Sequence, residues 1–274
     1  MTEHHFETHE PIELYIENGK GTVEVRALDT TETRVELTGP DAEATHVHLD
    51  GRRLDVIAPQ HRGGFLTGER RLDIVVHLPQ GSDFVTKLGS ADLDVTGRID
   101  RAQVRSGSGD VRLDTVDGAC LVETGSGDVT IAQATQALRV KSGSGDVDIR
   151  TTAAEVSVST GSGDVKIDDV TGPTAVKTGS GDLRIGRARG DVGLTTGSGD
   201  LEIGVITAGR VQAKGASGGV RIGVPPGVPV WTDVTTVSGR IHSTLDGAGQ
   251  PEPGADYVEV RAKTVTGDVV LSQV

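Results

Sequence analysis

Seven aspartates recur along the chain at a constant spacing and are the residues best placed to do chemistry. The first follows Gly89-Ser90-Ala91, the others each follow Gly-Ser-Gly directly, and the series keeps an 18-residue period throughout. The series is Asp92, Asp110, Asp128, Asp146, Asp164, Asp182 and Asp200. If each unit forms one layer of a β-structure, the carboxylates stack about 4.8 Å apart. Such a row of like charges costs about 1 kcal/mol per neighbouring pair in a water-like environment, so something must offset the repulsion.

Two interpretations of this aspartate series remain open. In the first, each carboxylate accepts backbone N–H bonds within its own Gly-Ser-Gly turn, as aspartates do in Asx turns. In the second, the aspartates bind calcium, because glycine-rich β-roll repeats of about nine residues, half the present spacing, hold Ca²⁺ through Gly-Gly-x-Gly-x-Asp units. Here the aspartate follows the last glycine directly, and the half-repeat carries no regular aspartate. The pattern therefore favours the turn interpretation and leaves calcium as the alternative.

No other pattern in the sequence predicts a catalytic, cofactor or metal site. Gly-Ser-Gly-Asp lacks both the following helix and the Gly-Lys-Ser/Thr that a phosphate-binding loop needs. His4, His5 and His9 could bind a transition metal, but on a polar terminus they are more simply interpreted as solvated. The single cysteine, Cys120, lies in an apolar strand-like stretch, which predicts a small buried hydrophobic residue. We therefore predict that the chain is not an enzyme and uses no cofactor.

The elements that carry the aspartates are predicted to be strands. With the aspartate as position 1, positions 2 and 4 are aliphatic, as in Val147 and Ile149, which is the alternation of a strand with one buried face. A second strand follows, with aliphatic residues at position 13, such as Val158. Position 15 is always Ser or Thr, such as Thr160, and we expect this hydroxyl to point inward and bond other hydroxyls or the turn backbone. The predicted fold is all-β: a β-solenoid, or β-helix, of 18-residue rungs with less regular capping coils at both ends.

The repeat predicts three segments along the chain. Residues 1–85 are a β-rich cap of irregular coils, residues 86–218 the regular array, and residues 219–274 irregular coils and a second cap. Asn18-Gly19 between two alternating segments predicts a β-hairpin that joins Glu13–Glu17 to Thr22–Arg26. Further strands are predicted at Arg34–Leu37, Arg53–Ile57 and Leu72–Val76. A proline-containing insertion is predicted from Asp246 to Gly254.

Charge and composition narrow the possible partners. The formal charge of −13 argues against nucleic acid and anionic lipid, both of which attract basic patches. Residues 85–230 contain no aromatic side chain, which disfavours polysaccharide binding along the array. The opening residues do not resemble a signal peptide and no apolar run is long enough for a membrane span, so we expect a cytoplasmic protein, with signal-independent export left open. An unknown protein partner or self-association remains, and capped ends favour a monomer or small oligomer.

The quoted motifs resemble a known group of bacterial β-strand-repeat proteins, the putative adhesin domain family. The resemblance extends from the β-rich opening through the Gly-Ser-Gly-Asp-Val repeats to the closing Thr-Val-Thr-Gly-Asp-Val. It implies a β-solenoid fold without an established activity. We therefore expect a non-enzymatic, adhesin-like interaction or scaffold surface, with a calcium-binding, β-roll-like module built on the Gly-Ser-Gly-Asp turns as the alternative.

Overall fold

The computed structural model describes residues 1–59, 71–246 and 256–274, and within these ranges the chain is all-β. These described ranges contain no helix long and apolar enough to cross a membrane. Most of the predicted insertion, from residue 247 to Gly254, lies outside the described residues. The strands are β1 (Thr2–Glu7), β2 (Glu13–Asn18), β3 (Gly21–Leu28), β4 (Glu32–Thr38), β5 (His46–Asp50), β6 (Arg53–Ile57), β7 (Leu72–Pro79), β8 (Asp83–Leu88), β9 (Asp92–Ile99), β10 (Ala102–Ser106), β11 (Val111–Val116), β12 (Cys120–Thr124), β13 (Val129–Ala134), β14 (Leu138–Ser142), β15 (Val147–Thr152), β16 (Val156–Thr160), β17 (Val165–Val170), β18 (Thr174–Thr178), β19 (Leu183–Ala188), β20 (Val192–Ser198), β21 (Leu201–Ile206), β22 (Gly209–Ser217), β23 (Val220–Val224), β24 (Val230–Thr236), β25 (Ile241–Ser243), β26 (Val258–Thr264) and β27 (Val269–Gln273).

The first of two compact units comprises Met1–Ala137. One of its sheets has the strand order β1-β4-β7-β3-β9-β11-β13, and the other has the order β12-β10-β8-β2-β6-β5. Most neighbours in both sheets are parallel. The exceptions lie at the outer edges, where β4 pairs antiparallel with β1 and β7, and β5 pairs antiparallel with β6. The outer strands of this unit therefore follow a different pairing rule from the repeat.

The second compact unit comprises Leu138–Val274 and also contains two sheets. Their strand orders are β15-β17-β19-β21-β23-β27-β25 and β24-β26-β22-β20-β18-β16-β14. Every described strand pair of this unit is parallel. The described strands of this unit alternate between the two sheets through β27, but after β23 their stacking order departs from the sequence order, because β26 and β27 lie between β22 and β23 on one side and β24 and β25 on the other. The three-segment division predicted from the repeat stays a prediction.

Within the regular array, strands pair with their equivalents one repeat away. Ile149 lies opposite Ile167 and Val158 opposite Val176, so each residue meets the same position of the next repeat. The inward side chains of both strands are removed from water, because Ile149 and Val158 are each 0% exposed. Positions 2, 4 and 13 of the repeat therefore form aliphatic rows, as the alternation predicted. Parallel stacking of identical positions also explains how a core with so few aromatic residues fills its volume.

The Gly-Ser-Gly corners connect the two sheets and bring the backbones of successive repeats close together. A Cβ added at Gly163 would collide with the carbonyl oxygen of Gly145 and approach its carbonyl carbon to 2.7 Å. The φ of Gly163 is not in the positive region, so glycine is required there by the close approach rather than by backbone conformation. The tripeptide thus marks the positions where a side chain does not fit between stacked repeats.

The inward hydroxyls at position 15 bond the corner backbone, as predicted. The Ser106 hydroxyl donates to the carbonyl of Gly109 at 2.9 Å, and the N–H of Gly181 donates to the Thr178 hydroxyl at 2.8 Å. Ser142, Thr124 and Thr160 make equivalent bonds. Thr196 departs from the pattern, because its Oγ1 has no hydrogen-bond partner among the described residues. The hydroxyls satisfy backbone groups that the corner would otherwise leave unpaired.

The predicted hairpin around Asn18-Gly19 is wrong. Both strands form, as β2 and β3, but they lie in different sheets and do not pair with each other. β2 pairs in parallel with β6 and β8, and β3 pairs in parallel with β7 and β9. Asn18-Gly19 is a corner between sheets, since the N–H of Ser90 donates to the carbonyl of Gly19 as at the Gly-Ser-Gly corners. An Asn-Gly pair provides a tight reversal, but it does not decide which strands pair.

Candidate functional site

The aspartates of the repeat form hydrogen bonds from one repeat to the next. In the first unit, the N–H groups of Asp110 and Asp128 donate to Oδ1 of Asp92 and Asp110 at 3.0 and 3.1 Å. In the second unit, Oδ1 of Asp146, Asp164 and Asp182 accepts the N–H of the next aspartate of the series at 2.8–2.9 Å. Oδ1 of Asp200 likewise accepts the N–H of Gly219 at 2.6 Å. We call this arrangement the aspartate ladder.

The ladder corrects the prediction that each carboxylate binds N–H groups of its own turn. The acceptor is an aspartate of one repeat and the donor is the backbone of the following repeat, 18 or 19 residues later. The physical reason is the parallel register, which places equivalent corners directly above one another. A backbone N–H between successive carboxylates supplies the partial positive charge that offsets their repulsion. The aspartates therefore join neighbouring repeats.

The ladder also contains two aspartates outside the seven predicted from the spacing. Asp73 accepts the N–H of Thr22 at 3.0 Å, and Asp268 accepts the N–H of Arg240 at 2.8 Å. Neither follows Gly-Ser-Gly, and their donors lie 51 residues before and 28 residues before them in the chain. Thr266-Gly267-Asp268 is a degenerate form of the motif that could have identified Asp268. Nothing in the sequence around Asp73 could have identified it.

The second carboxylate oxygens of several ladder aspartates face arginine side chains. Arg184 lies 2.8 Å from Oδ2 of Asp182 and 3.3 Å from Oδ2 of Asp164, and Arg112 lies 3.3 Å from Oδ2 of Asp110. The described ranges bring together no group of three His, Cys, Asp or Glu side chains that could hold a metal ion. This arrangement fits the structural interpretation of the aspartates, because their oxygens already accept hydrogen bonds from the chain itself. No observation on the described residues favours calcium.

Asp146 tests the two interpretations of the ladder. Replacing Asp146 with alanine removes the acceptor of the Asp164 N–H, so we expect the free energy of unfolding to fall by about 1–3 kcal/mol. Asp146→Asn keeps an acceptor oxygen, and the loss should be smaller. Thermal melts in chelator and in millimolar calcium should give the same Tm for the wild type. A calcium-dependent rise in Tm that weakens in Asp146→Asn would instead support calcium sites, each worth about 2.7 kcal/mol at 100 times its Kd.

The other sequence-predicted residues do not assemble into a site. Cys120 is buried, as predicted, and burial raises the pKa of its thiol to about 12, which opposes thiolate formation. His4 and His5 lie in β1, where His4 stacks on Phe6 and His5 contacts Glu3 at 2.8 Å. His9 follows this strand and is exposed. The structure thus places Cys120 in the core, gives His4 and His5 contacts within β1, and leaves His9 exposed.

The outward-facing charged rows of the array are paired between repeats. Arg105 contacts Glu123 at 3.1 Å, and Lys166 contacts Asp148 at 3.3 Å, each across one repeat. Arg187 contacts Asp169 at 2.9 Å in the same way. These exposed pairs contribute at most about 1 kcal/mol each to stability. Their main effect is to neutralise the outer surface locally, so these charged rows do not form a groove of one sign.

One aromatic and arginine-rich cluster lies on the outer face of the second unit. It comprises Trp231, Tyr257, Glu259, Arg210 and Arg261, and we call it the Trp231 cluster. The pairing of β22, β26 and β24 aligns Arg210, Glu259 and Trp231 in one row. The Arg261 guanidinium lies 5.4 Å from the centre of the Trp231 ring, within the range of a cation–π contact. Trp231 is 50% and Tyr257 45% exposed, so both rings remain accessible.

Glu259 holds the Trp231 cluster together from a buried position on this outer face. Its carboxylate receives Nε–H bonds from Arg210 at 2.7 Å and from Arg261 at 2.6 Å. The hydrogen bond from Arg210 lowers the pKa of Glu259 most, Arg261 lowers it further, and burial opposes both. Its stabilising contribution is therefore present above the ordinary carboxyl pKa and is lost as the pH falls through the lowered value. A cleft of about 220 Å³ opens beside Tyr257, Arg210 and Glu259.

Sequence reasoning missed this cluster because its members are far apart in the chain and outside the strict repeat. Arg210 and Glu259 are 49 residues apart, and they meet because β26 lies between β22 and β24. A sequence signal was nevertheless present. Trp231 and Tyr257 are two of the six aromatic residues in the whole chain, and both fall in its last quarter. Both side chains are exposed rather than buried in the core of the second unit.

Comparison with solved structures identifies similar folds in bacterial proteins. A putative adhesin from Parabacteroides merdae is 12% identical, with a TM-score of 0.51 over 100% of this chain and 95% of that chain. A putative adhesin from Bacteroides fragilis is 12% identical, with a TM-score of 0.42 over 98% of this chain and 96% of that chain. A putative lipid binding protein from Parabacteroides distasonis is 11% identical, with a TM-score of 0.36 over 100% and 96%. At 12% identity, the similarity to the Parabacteroides merdae structure shows a shared fold and nothing about function.

Comparison with family models gives the stronger result. No curated protein matches the chain. A family model described as Toastrack DUF4097, however, matches residues 12–272 and so includes the repeat array, the ladder and the Trp231 cluster. The relation to bacterial putative adhesins expected from the Gly-Ser-Gly-Asp repeats is confirmed by these comparisons. The chain belongs to the Toastrack DUF4097 family.

Proposed function

We propose that this protein is a non-enzymatic, adhesin-like interaction module that binds a protein partner through the Trp231 cluster. The array would act as the stiff support for that surface. In this proposal the strands form a β-solenoid of 18-residue rungs, and the antiparallel strands of the first unit serve as a cap. The parallel register of the array, in which each strand pairs with its equivalent one repeat away, supports the rung size. The antiparallel edges formed by β1, β4 and β5 support the assignment of the cap.

The composition of the Trp231 cluster is the observation that carries the proposal. Tryptophan, tyrosine and arginine are the residues most enriched among those that dominate binding energy at protein interfaces. Here an exposed Trp231, an exposed Tyr257 and two arginines occur together, in a chain with only 2% aromatic residues. Glu259 fixes both guanidinium groups, so the cluster is ordered before a partner arrives. Such pre-organisation reduces the entropy cost of binding.

The rest of the outer surface offers weaker support for binding. The charged rows of the array are already paired across repeats, as in Arg105 with Glu123 and Lys166 with Asp148. A partner that binds there would have to break or desolvate those pairs. New ion pairs at the exposed rim of an interface contribute little to the binding free energy, so they would not offset this cost. The Trp231 cluster requires no such loss, because its rings are exposed while its charges are satisfied.

The proposal predicts selective adhesion. Beads coated with the protein should adhere to at least one member of a panel of purified extracellular-matrix proteins and mucins. Trp231→Ala should weaken that adhesion at least tenfold, since truncation of a central interface aromatic costs about 2 kcal/mol or more. Arg105→Ala, on an outer row of the first unit, is the matched surface control and should leave adhesion unchanged. Equal thermal melts of both variants would establish that folding is intact.

Two outcomes would contradict the proposal. One is a failure of the coated beads to adhere to any member of the panel. The other is adhesion that Trp231→Ala leaves unchanged but Arg105→Ala abolishes, which would move the binding surface to the charged rows. The absence of catalysis and the cytoplasmic location expected above stay predictions. Adhesion to extracellular partners would require the signal-independent export left open above, and cell fractionation distinguishes the two locations.

A further inference from the structure

The last coil of the second unit offers open strand edges in both sheets at once. We define the end coil as residues 230–243, which contain β24 and β25. Among the described strands, β24 pairs only with β26, and β25 pairs only with β27. A short corner connects the two, so both open edges face the same direction. The end coil therefore supplies the edge strand of both sheets at the same end of the second unit.

Hydrogen-bond geometry identifies the backbone groups that are left open on β24. The N–H of Val258 donates to the carbonyl of Pro229, and Val258 lies opposite Val230. In a parallel pair, backbone groups of alternate residues point to the same side. The groups of Trp231 and Asp233 therefore face β26, and those of Thr232 and Val234 face the open side. On β25, the N–H of Val269 donates to the carbonyl of Arg240, and Val269 lies opposite Ile241. The backbone groups of Arg240 therefore face β27, and the backbone N–H and C=O of Ile241 face the open side.

The inner face of the end coil is also incompletely covered. One step inward, Val260, Ala262 and Val269 are each 0% exposed. Their neighbour in the end coil, Ile241, has the same inward orientation as Val269 and is 54% exposed. Val237, at the corner between β24 and β25, is 78% exposed. The aliphatic rows of the core thus continue to this end and stop there without a covering layer among the described residues.

The charge of the end coil suits contact with a like-charged molecule. Residues 230–243 contain one aspartate, Asp233, and one arginine, Arg240, and their formal charges cancel. The whole chain carries a formal charge of −13. A second copy of the chain therefore meets little electrostatic repulsion if it approaches through the end coil. Exposed edge strands in monomers are usually protected by charged residues, and β24 has only Asp233.

We propose that the end coil binds the end coil of a second copy, and that the two copies form a closed, two-fold symmetric dimer. A two-fold axis perpendicular to both sheets would pair β24 with its symmetry mate and β25 with its own, both antiparallel. One operation would then satisfy both open edges and cover Ile241 and Val237. A single extended peptide could satisfy only one of the two edges. The end coil of a second copy has two strands at the same spacing as β24 and β25, so it can pair with both edges.

The dimer is expected to stop at two copies. An isologous contact uses the same surface on both partners and leaves no further copy of that surface free. The outer strands of the first unit carry the charged residues that protect an edge, including Glu3 and Glu7 in β1 and Asp50 in β5. Those edges are poor sites for continued growth. This agrees with the expectation of a small oligomer rather than a filament.

The two-fold arrangement has a consequence that rests on the proposed function. The axis keeps each sheet on its own side, so the Trp231 clusters of the two copies would lie on the same outer face. A dimer would then present two partner-binding surfaces in one direction. Two linked sites raise the apparent affinity for a multivalent surface without any new contact.

Sedimentation velocity tests the proposal on the intact chain. The wild type should sediment at twice the mass of the chain at micromolar concentration. The double variant Thr232→Lys, Val234→Lys places positive charges on the open edge and inner face, and its dissociation constant should rise at least tenfold. Thr235→Lys is the control. It introduces lysine in the same strand, but the side chain of residue 235 points to the outer face and its backbone N–H and C=O face β26 rather than the open edge. It should remain dimeric.

Amide hydrogen exchange gives a second, independent measurement. The amides of Thr232 and Val234 should become protected as the concentration rises through the dimer range, whereas those of Trp231 and Asp233 should be protected at all concentrations. A monomer at 100 micromolar, higher assemblies, or a dimer that survives in the double variant would each overturn the two-fold model. A stable dimer whose coated beads fail to adhere would refute the proposed function and leave the dimer intact.

Discussion

Replacing Gly163 with alanine is expected to lower the free energy of unfolding by about 3 kcal/mol or more. The new Cβ would overlap the carbonyl oxygen of Gly145 and lie 3.2 Å from the backbone nitrogen of Asp146. Both obstacles are backbone atoms of the neighbouring repeat, so no side-chain rotation relieves the collision. The corner would have to separate from the one below it, which would also lengthen the ladder bond between Asp146 and the Asp164 N–H.

Chemical denaturation of Gly163→Ala against Ser162→Ala measures this effect. Ser162 is the exposed middle residue of the same corner, so its replacement should change stability by less than about 0.5 kcal/mol. Equal stability of the two variants would show that the corners can separate at little cost. In that case close stacking of the repeats would not explain why glycine occurs at these positions of the Gly-Ser-Gly corners.

Replacing Ile149 with aspartate is expected to cost roughly 4 kcal/mol or more, and the array should lose its cooperative unfolding transition. Ile149 is 0% exposed and lies opposite Ile167 in the parallel register of β15 and β17. A carboxylate there has no described cation within the aliphatic row to pair with. Because the same position of the next repeat is the aliphatic Ile167, the charge would be buried against an aliphatic side chain.

Arg150→Asp is the matched control for Ile149→Asp. It introduces the same residue one position later, where the side chain is exposed on the outer face. We expect it to change the free energy of unfolding by less than about 1 kcal/mol, as measured in guanidinium or urea. If both variants lost stability equally, the assignment of inner and outer faces by alternation would be wrong.

The regular part of this protein could be predicted from its sequence because its rules are local. Alternation alone identifies Val147 and Ile149 as inward residues, and the constant spacing of the aspartates identifies their stacked partners one repeat away. The hydroxyl of Thr160 could be assigned to the corner for the same reason, since it has the same parity as Val158. Where a period exists, the sequence position of a residue also gives its neighbour in space.

At both ends of the chain, only the tertiary structure decided which strands are neighbours. β2 and β3 lie between the pair β6 and β7 and the pair β8 and β9, and β26 and β27 separate β22 and β23 from β24 and β25. No local signal marks such an insertion, because each coil has similar strands and could stack on several others. The choice depends on how well whole faces pack, which involves residues tens of positions apart.

The difference between the regular repeat and the unrepeated ends also explains which parts of the candidate sites could be predicted. The sequence by itself determined that aspartates would line the corners of the repeat, but the register decided that Asp146 accepts the N–H of Asp164 rather than one of its own turn. Arg210, Glu259 and Trp231 became neighbours only through the insertion of β26. A repeated pattern specifies its own stacking because every unit offers the next unit an identical surface. The unrepeated ends lack that surface, so their contacts, and the Trp231 cluster and end coil built from them, depend on long-range packing.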